Sequence, residues 1–401
     1  MTGARRRKWP WVIVFGFIAL LGVFFIGGGW FFSGQVYADA LESEPYDPAG
    51  LQSGSVTAVD GTGERTLITI RPDEQYRAET KFDQAQMGLV VGESLVVVGP
   101  AIRDRDGDKT RPVIEIIGQT PRIGDRYGLT RDVWLDPEQA GLNSTDVDIE
   151  TPDGRTFPAW QIDAKKSAAD EGRWAILTHG KGAARSEMLR MARPLRKSGY
   201  TVLVISYTGD AGAPAPADGM VSYGRTEWQE LEAAVQYALD EGASTIVLGG
   251  TSHGGAVTLG FLARGSLIRK IDGIILDSPA TSFEDVIDEA AEYRTLPIGG
   301  LAIPESLEEA AKLAVAFRYG VDFKAVDYTD SPGLAGMPLL TFQGVTDKTV
   351  PQAVNDRLMR TGAGQDGTYV LVPGADHVLA WNVDPGAYDK AVRAFVKQLD
   401  G

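Results

Sequence analysis

From about residue 130 onward, short apolar runs rich in β-branched residues alternate with segments of helical period, and this alternation most narrows what the chain can become. Residues 145–150 and 157–162 flank Asp153-Gly154 and read as a hairpin. Residues 174–178, 200–206, 245–248, 273–277, 339–343 and 368–372 read as further strands. Residues 185–197, 226–239, 256–263 and 388–399 carry helical spacing between and after them. In the second of these, Trp228, Leu231, Val235 and Ala238 share one face. A parallel neighbour needs a long crossover, and a helix supplies it, so the pattern predicts a mostly parallel sheet with helices on both faces over residues 131–401.

The upstream third is different. Arg5, Arg6, Arg7 and Lys8 form a basic tail over residues 1–8. Residues 9–32 are uncharged and apolar, long enough to cross a hydrocarbon core as a helix. Trp9, Trp11 and Trp30 stand near its ends, where interfacial belts form. The positive side stays in the cytoplasm, so this reads as a single-pass signal anchor with everything after it outside. A cleaved signal peptide is the alternative, because Ala38-Asp39-Ala40 has small-x-small character. Gly27, Gly28 and Gly29 weaken the last helical turn and leave that alternative open, while the length of the apolar run favours the anchor. Residues 33–50, polar and with two prolines, read as a linker. Residues 51–130 hold short β-branched runs broken by Gly and Asp turns, the pattern of a small sandwich or barrel. With no cluster of nucleophile, base or metal ligands, this β-rich module is expected to be a spacer or a docking unit for a partner.

Composition removes several chemistries. The chain has no Cys, which excludes disulfides, thiolate nucleophiles and cysteine-based metal centres. Its net charge of −15 argues against a nucleic-acid partner, which needs a basic footprint. Only His179, His253 and His377 are available for histidine chemistry.

The chemistry gathers at strand ends. Gly250-Thr251-Ser252-His253-Gly254 follows the strand TIVLGG and opens an apolar helix. A tight strand-to-helix turn forces its central residue into strained backbone and lifts Ser252 to the carboxyl edge of the sheet. A Ser hydroxyl needs a base, and the base needs an orienting acid. His377, in PGADH after the last strand, is the expected base. Asp347, in GVTD after the strand before it, is the expected acid, with Asp277 as the alternative. Thr178-His179-Gly180-Lys181-Gly182 follows the strand WAILT and offers free N–H groups for an oxyanion. The backbone N–H groups of Lys181 and His253 are the expected donors, with Gly182 as the alternative to Lys181. The Lys181 side chain is expected in solvent, and His179 as a brace for its loop. His253 either meets the leaving group or packs.

HGKG, GTSHGG, GVTDKTVP and GADH, in this order and on these elements, resemble the α/β-hydrolase superfamily. The branch most similar is that of serine aminopeptidase-like and monoacylglycerol-lipase-like hydrolases. ISYTGDAGAP, YGRTEWQELEAAVQYAL and LDSPA look like membrane-anchored or exported actinobacterial members. The resemblance covers residues 130–401 and departs at His253, where an apolar residue is more usual. It implies an α/β-hydrolase fold with a small helical cap at about residues 278–336. Within that stretch, residues 283–294 and 307–317 are amphipathic, and 296–300 (LPIGG) read as a hinge. The helices either cover the site or only pack on the sheet. The implied activity is that of a cofactor-free serine hydrolase cleaving a carboxylic ester, with a small-molecule or lipid-like substrate beside a membrane. An aminopeptidase or amidase on the same triad, or a catalytically silent binding protein, are the alternatives.

Overall fold

Eight strands form one twisted sheet whose carboxyl edge carries Ser252, Asp347 and His377. The structure is a computed structural model and describes residues 9–47, 52–77, 80–165, 172–296, 299–360 and 367–399. The expected basic tail, residues 48–50 of the expected linker, and Pro297-Ile298 of the expected hinge lie outside the described residues.

Ahead of that sheet stand α1 (Trp9–Val36) and seven antiparallel strands. These are β1 (Gly54–Asp60), β2 (Leu67–Pro72), β3 (Met87–Val91), β4 (Ser94–Val98), β5 (Arg103–Arg105), β6 (Asp108–Ile117) and β7 (Arg126–Thr130). They run in the order β2-β1-β7-β3-β4-β6, and β6 returns to pair with β2, so the sheet closes into a small barrel with β5 on its flank. Closure removes the exposed edges that an antiparallel sheet of this size would otherwise leave open.

The main sheet holds β8 (Thr145–Glu150), β9 (Thr156–Ile162), β10 (Arg173–Thr178), β11 (Thr201–Ile205), β12 (Thr245–Thr251), β13 (Gly273–Asp277), β14 (Leu339–Gly344) and β15 (Thr368–Val372). Their spatial order is β15-β14-β13-β12-β10-β11-β9-β8. The β8–β9 hairpin lies antiparallel at one edge, and all pairings from β11 to β15 are parallel. Strands β10, β12 and β13 are buried along nearly their whole length, which is why they read as continuous apolar runs rather than as alternation.

Helices α2 (Leu189–Lys197), α8 (Ala380–Val383) and α9 (Pro385–Gln398) cover one face. Helices α3 (Trp228–Asp240), α4 (His253–Arg264) and α7 (Gln352–Arg360) cover the other. Each fully buried Leu, Ile or Val in these two layers contributes roughly 1.5–3 kcal/mol. The cap consists of α5 (Phe283–Ala291) and α6 (Glu305–Tyr319). This is the expected α/β-hydrolase fold, with a small β barrel and an apolar N-terminal helix before it.

Two readings of the upstream segment change. Helix α1 does not stop at residue 32. It continues to Val36 and then into a π turn over Tyr37–Leu41, with Leu41 in the main core. The polar residues there look like a linker in sequence, but Arg318, Tyr319 and Tyr223, far along the chain, hold Ser33, Tyr37 and Ala40. Gly28 and Gly29 do not merely weaken a helical turn. A Cβ on Gly28 would come within 2.7 Å of Leu307, and one on Gly29 within 2.7 Å of the Ala310 carbonyl, so their bareness lets α6 approach α1.

The barrel is also no distant spacer. Val90, Leu95 and Val97 join the core cluster of Leu177 and Trp381, and Asn382 donates to the carbonyls of Gln86 at 2.7 Å and Arg131 at 2.8 Å.

Candidate active site

Ser252 sits between the end of β12 and the start of α4 with φ 49° and ψ −116°. That backbone is strained for any residue with a Cβ and is held by its neighbours. The Ser252 N–H donates to the Asp277 carbonyl at 3.0 Å, and the Ser252 carbonyl accepts from Gly255 at 3.0 Å and Ala280 at 3.1 Å. A side chain on Gly254 would collide with the Thr178 and His179 carbonyls, so the turn can only be this tight with glycine there.

His377, in the loop after β15, places Nε2 2.8 Å from Ser252 Oγ. Its Nδ1 stands 2.8 Å from Asp347 Oδ2. Asp347 is buried, and its Oδ1 accepts the N–H groups of Thr349 and Val350, each at 2.9 Å. These bonds aim the carboxylate at Nδ1, and an N–H there leaves Nε2 to accept from Ser252. The three residues expected from the sequence are thus brought together, and Asp347 rather than Asp277 touches the imidazole. Asp277 lies behind them, where burial pushes its carboxyl up to about 7.

The loop after β10 lies against Ser252: a Cβ on Gly180 would stand 3.2 Å from Ser252 Cβ. Among the described residues, neither the Lys181 nor the His253 backbone N–H has a hydrogen-bond partner.

Residues 175–391 match the model described as the alpha/beta hydrolase family. The chain belongs to the alpha/beta hydrolase family. No protein of curated function matches it. Among solved structures, it is similar to the esterase Pf2001 of Pyrococcus furiosus, at 20% identity and a TM-score of 0.50, over 66% of this chain and 96% of that one. It is also similar to a membrane phospholipase A described as a bacterial virulence factor, at 19% identity and a TM-score of 0.46, over 66% and 89%. Est1E from Butyrivibrio proteoclasticus matches at 18% identity and a TM-score of 0.45, over 64% and 98%.

Around the reactive edge the hydrolase carries a buried polar shell that the sequence motifs do not announce. Glu187 Oε2 accepts the Gly180 N–H at 2.8 Å and the Thr251 hydroxyl at 2.5 Å. Burial opposes its charge, but Arg131 and Arg190 outweigh that and bring the carboxyl down to about 2. His179 is the brace expected: Nε2 is 2.9 Å from Asp210 and Nδ1 is 3.0 Å from the Gly180 carbonyl. Burial resists protonation of His179, while Asp210 outweighs it and raises its pKa. Tyr207 donates to the His179 and Gly180 carbonyls at 3.0 and 3.1 Å.

His253 packs rather than reaching toward a leaving group. It is 1% exposed, with Nδ1 3.3 Å from the Tyr207 hydroxyl and Nε2 3.5 Å from Glu227. Glu227 is itself buried, and although burial opposes its charge, His253 and Ser222 hold it at about 2. The Lys181 side chain does not extend into solvent. It is half-buried, and Nζ donates to the Asp39 carbonyl at 3.3 Å.

A cavity of about 670 Å³ opens over Ser252 and His377. The cap helices do line it, through Phe283, Val286, Ile287 and Ala311, so they are more than sheet packing. The barrel contributes Phe82, Met87 and Leu129. Among the described residues no group of three or more His, Asp or Glu is disposed to hold a metal ion.

Proposed function

We propose that the protein is a serine hydrolase that cleaves a carboxylic ester through an acyl-enzyme on Ser252. The observation that carries this reading is the unbroken relay from Asp347 Oδ2 through His377 to Ser252 Oγ, with both links at 2.8 Å. As Ser252 Oγ bonds to the carbonyl carbon, its proton passes to His377 Nε2 and the carbonyl electrons move onto the oxygen. The N–H groups of Lys181 and His253 hold that oxyanion. The C–O bond to the leaving group then breaks, and His377 returns its proton to the departing alcohol. Water adds to the acyl-enzyme by the same route, giving the acid and free Ser252.

An ester is favoured over a free amino-terminal peptide by how the cavity's acids are engaged. Capturing a protonated amine requires an unengaged carboxylate. Asp39 is paired with Arg294 at 2.9 Å. Glu308 is pushed up to about 8 by burial and by a hydrogen bond that its protonated carboxyl donates to neighbouring Asp288, so it carries little charge at neutral pH. Glu187 is held by arginines, Asp376 accepts the His377 N–H at 2.6 Å, and buried Asp132 accepts the Ser186 hydroxyl at 2.7 Å.

In this reading residues 9–32 anchor the chain in a membrane as a single span, with residues 51–130 and 131–401 on the extracytoplasmic side. The length and apolarity of α1 support the anchor. A fluorophosphonate probe tests the nucleophile. The wild type should label and Ser252→Ala should not. Equal labelling of the two would end the assignment.

A further inference from the structure

We infer that the end of α1 is a wall of the catalytic cavity, and that the substrate is a long-chain acyl ester drawn from the bilayer that α1 crosses. This rests on the ester-hydrolase reading above and adds where the ester comes from.

The lining residues Phe32, Gln35, Val36, Asp39 and Ala40 fall at i, i+3, i+4, i+7 and i+8, one continuous helical stripe facing the same space as Ser252 and His377. The stripe is fastened in place. Arg318 donates to the Trp30 carbonyl at 2.8 Å and to Ser33 at 2.6 Å. Tyr37 stacks on Tyr319 with ring centres 4.8 Å apart. Arg294 and Lys181 both hold Asp39, and Tyr223 donates to the Ala40 carbonyl at 3.2 Å.

Helix length places this wall relative to a bilayer. The 28 residues of α1 span about 42 Å at roughly 1.5 Å per residue. The hydrocarbon core is only about 30 Å thick. The last turns of α1 therefore stand at headgroup level, and those are the turns packed on α6 beside the cavity. The earlier part of α1 presents bare apolar side chains, with Ile26 75% exposed. On α6, Leu313 and Phe317 lie one turn apart and are 72% and 84% exposed, continuing an apolar surface next to α1. A water-soluble substrate gains nothing from a cavity opened at this level. An acyl chain already in the leaflet can slide along α1 toward Ser252 without crossing water.

The test uses the full chain reconstituted in phosphatidylcholine vesicles, with 4-methylumbelliferyl palmitate dissolved either in the same vesicles or in separate ones. Same-vesicle turnover should be at least about ten-fold faster. Equal rates would overturn the inference, because the ester would then be arriving through water. Soluble 4-methylumbelliferyl butyrate separates the two readings. If it is cleaved by wild type and not by Ser252→Ala, while same-vesicle palmitate is not cleaved, the bilayer source fails and the ester reading stands. If neither ester is cleaved, both fail. Val36→Trp, which fills the wall, should lower the palmitate-to-butyrate ratio of kcat/KM by about ten-fold or more. Ala40→Leu is the milder variant should the first not fold, with a shift in the same direction. An unchanged ratio in the folded variant would remove α1 from the cavity wall.

Discussion

Thr251, the residue before Ser252, donates its hydroxyl to Glu187 at 2.5 Å. The same carboxylate oxygen accepts the Gly180 N–H at 2.8 Å. One buried charge thus fixes the strand-to-helix turn that carries Ser252 relative to the loop that carries the Lys181 N–H. If transition-state stabilisation depends on that spacing, Glu187→Gln should lower kcat by about 10–100-fold while changing KM little. Unaltered circular dichroism would separate this from unfolding. A loss confined to KM would mean that Glu187 only shapes the binding space.

Of the carboxyl groups near His377, Asp347 and Asp277 should behave differently. Asp347 touches Nδ1 at 2.8 Å, so Asp347→Asn removes the charge that holds the imidazole and its tautomer. The expected loss in kcat is about 10³–10⁴-fold. Asp277→Asn, one layer behind, should cost less than about ten-fold. Comparable losses from both would mean that the acid has been assigned to the wrong strand.

What could be read from the sequence was whatever a short stretch of chain determines alone. Ser252, Asp347 and His377 each stand just past a strand in a compact motif, so local pattern was enough to place them at the same sheet edge. Glu187, Asp210 and Glu227 could not be found this way. Acidic residues at helix starts or in a turn look like ordinary solvated positions, and only the fold shows these three packed against Gly180, His179 and His253. The same limit explains α1. Residues 33–41 are polar enough to read as a linker, and their helical state depends on Arg318, Tyr319 and Tyr223, far away in sequence. Barrel residues such as Phe82 and Met87 carry no chemical signature, so their place in the cavity wall is a product of packing alone.

Asp277 gives a pH signature in stability. Burial raises its folded-state pKa from near 3.8 to about 7. Between those values the unfolded chain releases a proton that the folded chain keeps. This group therefore lowers stability as pH rises through that window, and the deficit stays constant above it. Asp277→Asn keeps the shape and removes the titration. Its melting temperature relative to wild type should be at least about 3 °C more favourable at pH 8 than at pH 4.5. A difference independent of pH would show that the carboxyl ionises as freely in the fold as outside it.

Retention of the N-terminal helix follows from the same contacts that make it a cavity wall. Cleavage after Ala40 would remove Trp30, Ser33, Tyr37 and Asp39, and with them the partners of Arg318, Tyr319, Arg294 and Lys181. It would also open one side of the cavity to water and cut the chain next to Leu41, which is 2% exposed. Unpairing half-buried Arg318 and Lys181 and uncovering α6 should cost stability on the order of a few kcal/mol. The mature protein should therefore keep residues upstream of Ala40, as N-terminal sequencing of the membrane fraction would show. A chain starting at Leu41 should melt several degrees below the full-length protein in the same detergent. If the mature protein began at Leu41 and melted no lower, α1 would be a removable leader, and its packing against α6 would contribute nothing to the working enzyme.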